Sequence, residues 1–126
     1  MTVLDPEALR ERIARICARF PEVHAVSETG QHTAFQVRRK RFAYYTVDHH
    51  GDGRLALSCR AAPGVQQGLV AADPERFFVP PYLGPRGWAG VYLDVPGVDW
   101  TGIEVLLRDA YVLAAPKRLA ASLTEF

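Results

Sequence analysis

Apolar residues fall into two regular spacings along this chain, and these spacings predict its elements. Leu9, Ile13, Ile16, Cys17 and Phe20 recur every three to four positions and form one stripe of an amphipathic helix. Asp5 suits its N-cap, Pro6 its first helical position and Glu7 its first turn, while Pro21 cannot continue the ladder. Arg10, Arg12, Arg15 and Arg19 lie mostly on its other faces and read as a solvated row, with Glu11 and Arg15 spaced for an ion pair.

The spacing then changes to two. Val23 to Ser27 and Thr33 to Val37 read as strands, separated by a polar segment with Gly30 and His32. The basic run Arg38-Arg39-Lys40-Arg41 leads into Phe42 to Val47, rich in the aromatic and β-branched residues that fit a pleated surface. Arg54 to Arg60 alternates, with Leu55, Leu57 and Cys59 on one face. The Gly/Asp-rich segment His49 to Gly53 between them predicts a hairpin entered through a basic flank. Ala62 to Ala72 contains a short helix, followed by an Asp73-Pro74 turn. Phe77 to Val79 runs into a rigid turn, Pro80 to Trp88, and Ala89 to Val95 is a strand. Asp99 caps a helix from Trp100 to about Leu113, in which Ile103, Leu106, Leu107 and Ala110 are the buried face. A last short helix starts near Pro116.

The length of 126 residues predicts one domain, 1–126, with no linker, repeat or low-complexity tract. A composition of 48% hydrophobic and 23% charged residues is that of a globular chain rather than a disordered one. The start, MTVLDPEALRER, has no apolar signal region, and no stretch reaches the ~20 apolar residues of a membrane span. A cytoplasmic protein is therefore expected, with no membrane partner and a monomer as its state. Cys17 and Cys59 read as buried free thiols. The net charge of +1 rules out a whole-molecule polyanion binder and leaves only a local patch to consider.

Three features could carry chemistry. Asp48-His49-His50-Gly51-Asp52 resembles a collection of metal ligands, but neighbouring residues at a strand end diverge, and Asp and Gly are what hairpin loops require. A turn is expected there, with no metal and no cofactor. Four consecutive cations before Tyr44 and Tyr45 would attract phosphates, although alternation puts at most two on one face. The segment FFVPPYLGPRGW is a shaped turn whose Tyr82, Arg86 and Trp88 are candidates for an interaction groove with a protein partner. No G-x-S-x-G, P-loop, G-x-G-x-x-G or paired-carboxylate motif is present, and nothing local joins Cys59 to a histidine, so no catalytic residue is named.

From Phe35 onward the chain resembles the MmcQ/YjbR family of small bacterial proteins. Phe35-x-Val37-x-x-Lys40-x-Phe42-Ala43-Tyr44-Tyr45, Phe78-Val79-Pro80-Pro81-Tyr82-Leu83-Gly84, Gly87-Trp88, Asp99-Trp100 and Ala115-Pro116-Lys117-Arg118-Leu119 carry the likeness in that order. The resemblance implies an α+β fold in two layers, of order α-β-β-β-α-β-β-α with an extra C-terminal helix, similar to secretion-chaperone and frataxin-like folds. It also implies DNA binding, the family's common description. Lys40 and Lys117 match the family's basic positions, and Arg38, Arg39, Arg41 and Arg118 are this chain's additions around them. Ala110 departs from the pattern, where the family tends to carry a small polar residue. The leading expectation is a non-enzymatic domain holding DNA phosphates with Arg39, Lys40, Arg41, Lys117 and Arg118. The alternatives are a protein-interaction module around Tyr82 to Trp88, or a small-molecule enzyme without a recognisable motif.

Overall fold

The computed structural model describes residues 5–28 and 31–123. Helix α1 spans Pro6–Cys17, with the Asp5 side chain accepting from the Glu7 N–H as an N-cap. Strands β1 (Val23–Ser27), β2 (Thr33–Val37), β3 (Lys40–Val47) and β4 (Leu55–Cys59) follow, then α2 (Val65–Ala72), β5 (Phe77–Phe78), β6 (Ala89–Tyr92), α3 (Trp100–Ala114) and α4 (Lys117–Ser122). Short 3₁₀ turns lie at His49–Gly51 and Gly84–Arg86. The strands form one antiparallel sheet in the order β1-β2-β3-β4-β6-β5.

The α+β class is as expected, and the four strand runs read from the residues all form before α2, one more than in the order implied by the resemblance. Val23–Ser27 finds a full antiparallel partner in β2 and so becomes an edge strand in its own right. The sixth strand stops at Tyr92 rather than Val95. Leu93 and Asp94 beyond it still bond β4, through the Leu93 N–H to the Leu55 carbonyl and the Leu55 N–H to the Asp94 carboxylate.

One face of the sheet is the core. Phe35, Ala43, Tyr45, Leu57, Cys59 and Val91 point to the helices, where Ile13, Ile16 and Cys17 of α1 meet Ile103, Leu107 and Tyr111 of α3. The Tyr45 hydroxyl donates to the Pro6 carbonyl at 2.7 Å and the Tyr111 hydroxyl to the Pro21 carbonyl at 2.8 Å, which fixes both ends of the α1 segment. The arginine row of α1 is not merely solvated. The Arg12 guanidinium lies 4.0 Å from the centre of the Trp100 ring, and Arg19 bonds Glu104 at 2.9 Å. Within α1, Arg10 pairs with Glu7 in the first turn, rather than Arg15 with Glu11. Ala110 is fully buried, where a polar side chain would need a partner.

A bulge interrupts the alternation of β3. Phe35 stands opposite Ala43 but Gln36 opposite Arg41, so Phe42 is the extra residue. Phe42 and Ala43 both reach the core, and Phe42 meets Tyr111 edge-on at 5.8 Å. Strict alternation would put Arg41 on the core face with Ala43 and Tyr45. The bulge returns it to the face of Tyr44.

Candidate functional site

The sheet face turned away from the helices carries a groove of about 610 Å³. Its floor follows from the register. Ala34, Tyr44, Ser58, Gly90 and Phe78 form one cross-strand row, and Thr46, Ala56 and Tyr92 the next. Small side chains on β4 thus lie between larger rings on β3 and β6, and this difference in size makes the hollow. Gly90 is required there, because a Cβ would run into the ring of Phe78. That ring stacks on Tyr92 with centres 4.4 Å apart, and the Arg54 guanidinium covers Tyr92 at 3.6 Å.

One wall is the Val79–Leu83 segment. Its shape is set by Gln66, whose buried amide donates to the Gly84 carbonyl at 2.9 Å and the Trp88 carbonyl at 2.6 Å. Gly84 has no room for a Cβ beside Val79. Tyr82 adopts a left-handed conformation, φ 65°, and is 80% exposed at the groove. A bulky residue in that region is strained, and strain of this kind concentrates at functional positions.

The opposite rim is polar. Arg41 donates to the Tyr44 hydroxyl at 3.1 Å and lies 2.6 Å from Glu28, an ion pair by distance without the alignment of a hydrogen bond. His32 accepts the Val47 N–H on Nδ1 at 3.1 Å, so its ring proton sits on Nε2, and it meets His49 edge-on at 5.2 Å.

The basic candidates separate. Arg38 and Arg39, at φ 50° and 66°, are the two central residues of the tight β2–β3 turn rather than a flank of the strand. Arg38 grips Glu22 through two bonds of 2.6 and 2.9 Å. The Glu22 carboxyl is held below the usual carboxylate range by this Arg38 bond, and the charges of Arg118 and His24 add to the pull. The β2–β3 turn and the start of α4 therefore lie at one end of the molecule. Arg39, Lys40, Lys117 and Arg118 are exposed there, and Arg41 enters the groove instead.

Of the three groove candidates only Tyr82 lines it. Arg86 is exposed outside it. Trp88 is 3% exposed, packed against Tyr44 at 5.7 Å and under Arg60, so it is part of the interior. Asp48 and Asp52 spend their carboxylates on the loop itself, accepting from the N–H groups of Gly53 and Arg54. Among the described residues no three metal-ligating side chains converge, and the side chain of His50 lies outside them. Gln66, Glu28, Ser58 and Gly90 were not singled out by sequence, because their partners come from distant segments.

The YjbR family model matches residues 18–113. The chain belongs to the YjbR family. The crystal structure of Deinococcus radiodurans protein DR2400, which carries a DUF419 domain, shares the fold at a TM-score of 0.71, with 22% identity over 91% of this chain and 87% of that one. No curated protein matches the chain.

Most residues that carry the YjbR pattern have structural work. Phe35, Val37, Phe42, Ala43 and Tyr45 are core, Phe78 to Leu83 line the groove, Asp99 caps α3 on the Gly102 N–H, and Pro116 precedes α4. Lys40 and Lys117 are exposed and lack an ion pair among the described residues. Beside the groove, Asp94 accepts Arg54 through both oxygens and the Leu55 N–H. Burial raises its pKa, but the Arg54 and Leu55 hydrogen bonds outweigh it and hold the carboxyl below its ordinary range. A depressed folded-state value stabilises the protein fully above the unfolded value of about 3.9 and loses that stabilisation as pH falls through the folded one. Asp94→Asn should thus flatten the acid limb of the stability curve, read as urea midpoints between neutral pH and the acid transition. Equal acid slopes for both proteins would refute the assignment. No helix among the described residues is long and apolar enough to cross a membrane.

Proposed function

We propose that this YjbR-family chain is a non-enzymatic binding domain that holds DNA phosphates with Arg39, Lys40, Lys117 and Arg118, and with Arg41 at their margin. The observation that supports this reading is that Arg38 on the turn is taken up by Glu22, while Arg39, Lys40, Lys117 and Arg118 are exposed without an ion pair among the described residues. Unpaired cations on the turn and at the start of α4 would make a local positive patch although the whole chain is +1. The enzymatic reading gains nothing from the thiols, since neither lines the groove. Cys59 is buried on the helix-covered face, and burial pushes its thiol well up. The protein-interaction reading loses Trp88 to the interior, so Trp88→Ala would report on folding rather than binding. Two free thiols suit a cytoplasmic site of action.

Four phosphate contacts predict an affinity for duplex DNA that falls by about 100-fold between roughly 50 and 200 mM salt. Lys40→Glu with Arg118→Glu should weaken binding at low salt by at least about tenfold, measured by fluorescence anisotropy. An unaltered protein that fails to bind at about 50 mM salt ends this reading.

A further inference from the structure

We infer that the groove takes an unpaired base of a single strand whose neighbouring phosphates run onto the basic turn. This rests on the nucleic-acid reading and adds which part of the ligand goes where. The groove and the turn are neighbours along the chain: Arg39 is exposed on the turn, Lys40 opens β3 opposite Val37, and Arg41 enters the groove. A ligand spanning both has a charged part and a neutral planar part side by side, as a nucleotide unit does.

The charge distribution decides which part enters. Inside the groove Arg41 is balanced by Glu28, and Asp52 adds a second carboxylate. A phosphate would meet net negative charge there, whereas on the turn it would not. The groove's polar groups are both donors and acceptors around an aromatic surface, which suits a heteroaromatic ring with donors and acceptors of its own. Ser58, 5% exposed, turns its hydroxyl to this space and makes no hydrogen bond with it among the described residues. Tyr82 projects an 80% exposed ring from a wall stiffened by Pro80, Pro81 and the Gln66 amide. Such rings are stacking platforms for bases in single-strand binders. About 610 Å³ lies within the range of small-ligand sites, about 300–1,000 Å³. Duplex bases are stacked and paired and cannot enter it, so duplex binding uses the basic end alone.

The test uses the intact chain and a short oligothymidylate carrying a single 2-aminopurine, whose fluorescence reports stacking. The oligomer's fluorescence should be quenched on binding. Tyr82→Ala should weaken single-strand binding by about 5- to 150-fold, the range of losing one base stack, and leave duplex binding unchanged. Gly90→Ala, which drives the Phe78 ring off its seat without touching a charge, should have the same selectivity. If duplex and oligomer both bind but the probe is unquenched and Tyr82→Ala changes nothing, the base site is wrong and the phosphate reading stands. If neither nucleic acid binds, both fall. Thymidine monophosphate bound as tightly as the oligomer would overturn the strand as ligand.

Discussion

Tyr111→Ala is expected to cost about 3–5 kcal/mol, the range for deleting a fully buried aromatic ring. Tyr111 is 0% exposed and its ring centre lies 5.2 Å from that of Phe20 and 5.8 Å from that of Phe42. It joins α3, the turn after α1 and the bulge of β3 in a single contact. A domain of this size has about 5–15 kcal/mol of stability in total, so the variant stands near the edge of folding. Tyr111→Phe separates the ring from the hydroxyl. It should cost only about 1 kcal/mol, the value of a hydrogen bond to the Pro21 carbonyl. The hydroxyl also anchors the residue before Glu22, so under the proposed DNA-binding reading the Phe variant weakens binding slightly while the fold survives. Urea denaturation followed by circular dichroism measures both. A Tyr111→Ala cost no larger than that of Tyr111→Phe would show that the ring is not the keystone described.

Gln66→Leu is expected to destabilise by about 1–3 kcal/mol, although the volume is nearly kept and the new side chain is more apolar. The loss comes from the carbonyls left behind. Gly84 retains the Gly87 N–H at 2.9 Å, so the Trp88 carbonyl bears most of it. A buried acceptor without a partner costs more than the bond had contributed, because water cannot replace it. The damage should be local. Amide exchange should quicken across residues 79–88, which form the groove wall, with β1 and β2 unaffected. Uniform acceleration over the sheet, or none, would contradict the role assigned to this amide.

The same two residues show where reading the chain worked and where it stopped. Tyr111 lies on a helix whose start was legible in Asp99, but the buried face read from spacing was Ile103, Leu106, Leu107 and Ala110, and only the structure adds Tyr111 to it. Its partners Phe20, Phe42 and Pro21 come from three other elements, and nothing local selects them. Gln66 sits in an uncharged helical stretch, and which carbonyls it serves depends on a chain return of about twenty residues. Arg41 is the clearest limit. Its face depends on the bulge at Phe42, and a one-residue slip reverses every side chain of a strand.

By itself the sequence determined the helices with their caps, the strand runs, the α+β class and the family, because these depend on spacing and on the backbone preferences of Asp5, Pro6, Asp99 and the glycines. It also marked the basic turn and the proline segment as unusual. Tertiary structure alone decided that Trp88 is interior, that Arg41 belongs to the groove, that Arg38 pairs with Glu22, and that Ala56, Ser58 and Gly90 leave a hollow between rings. The reason is physical. Each of these facts is a choice of partner between residues far apart in the chain, settled by strand register and close packing rather than by local propensity.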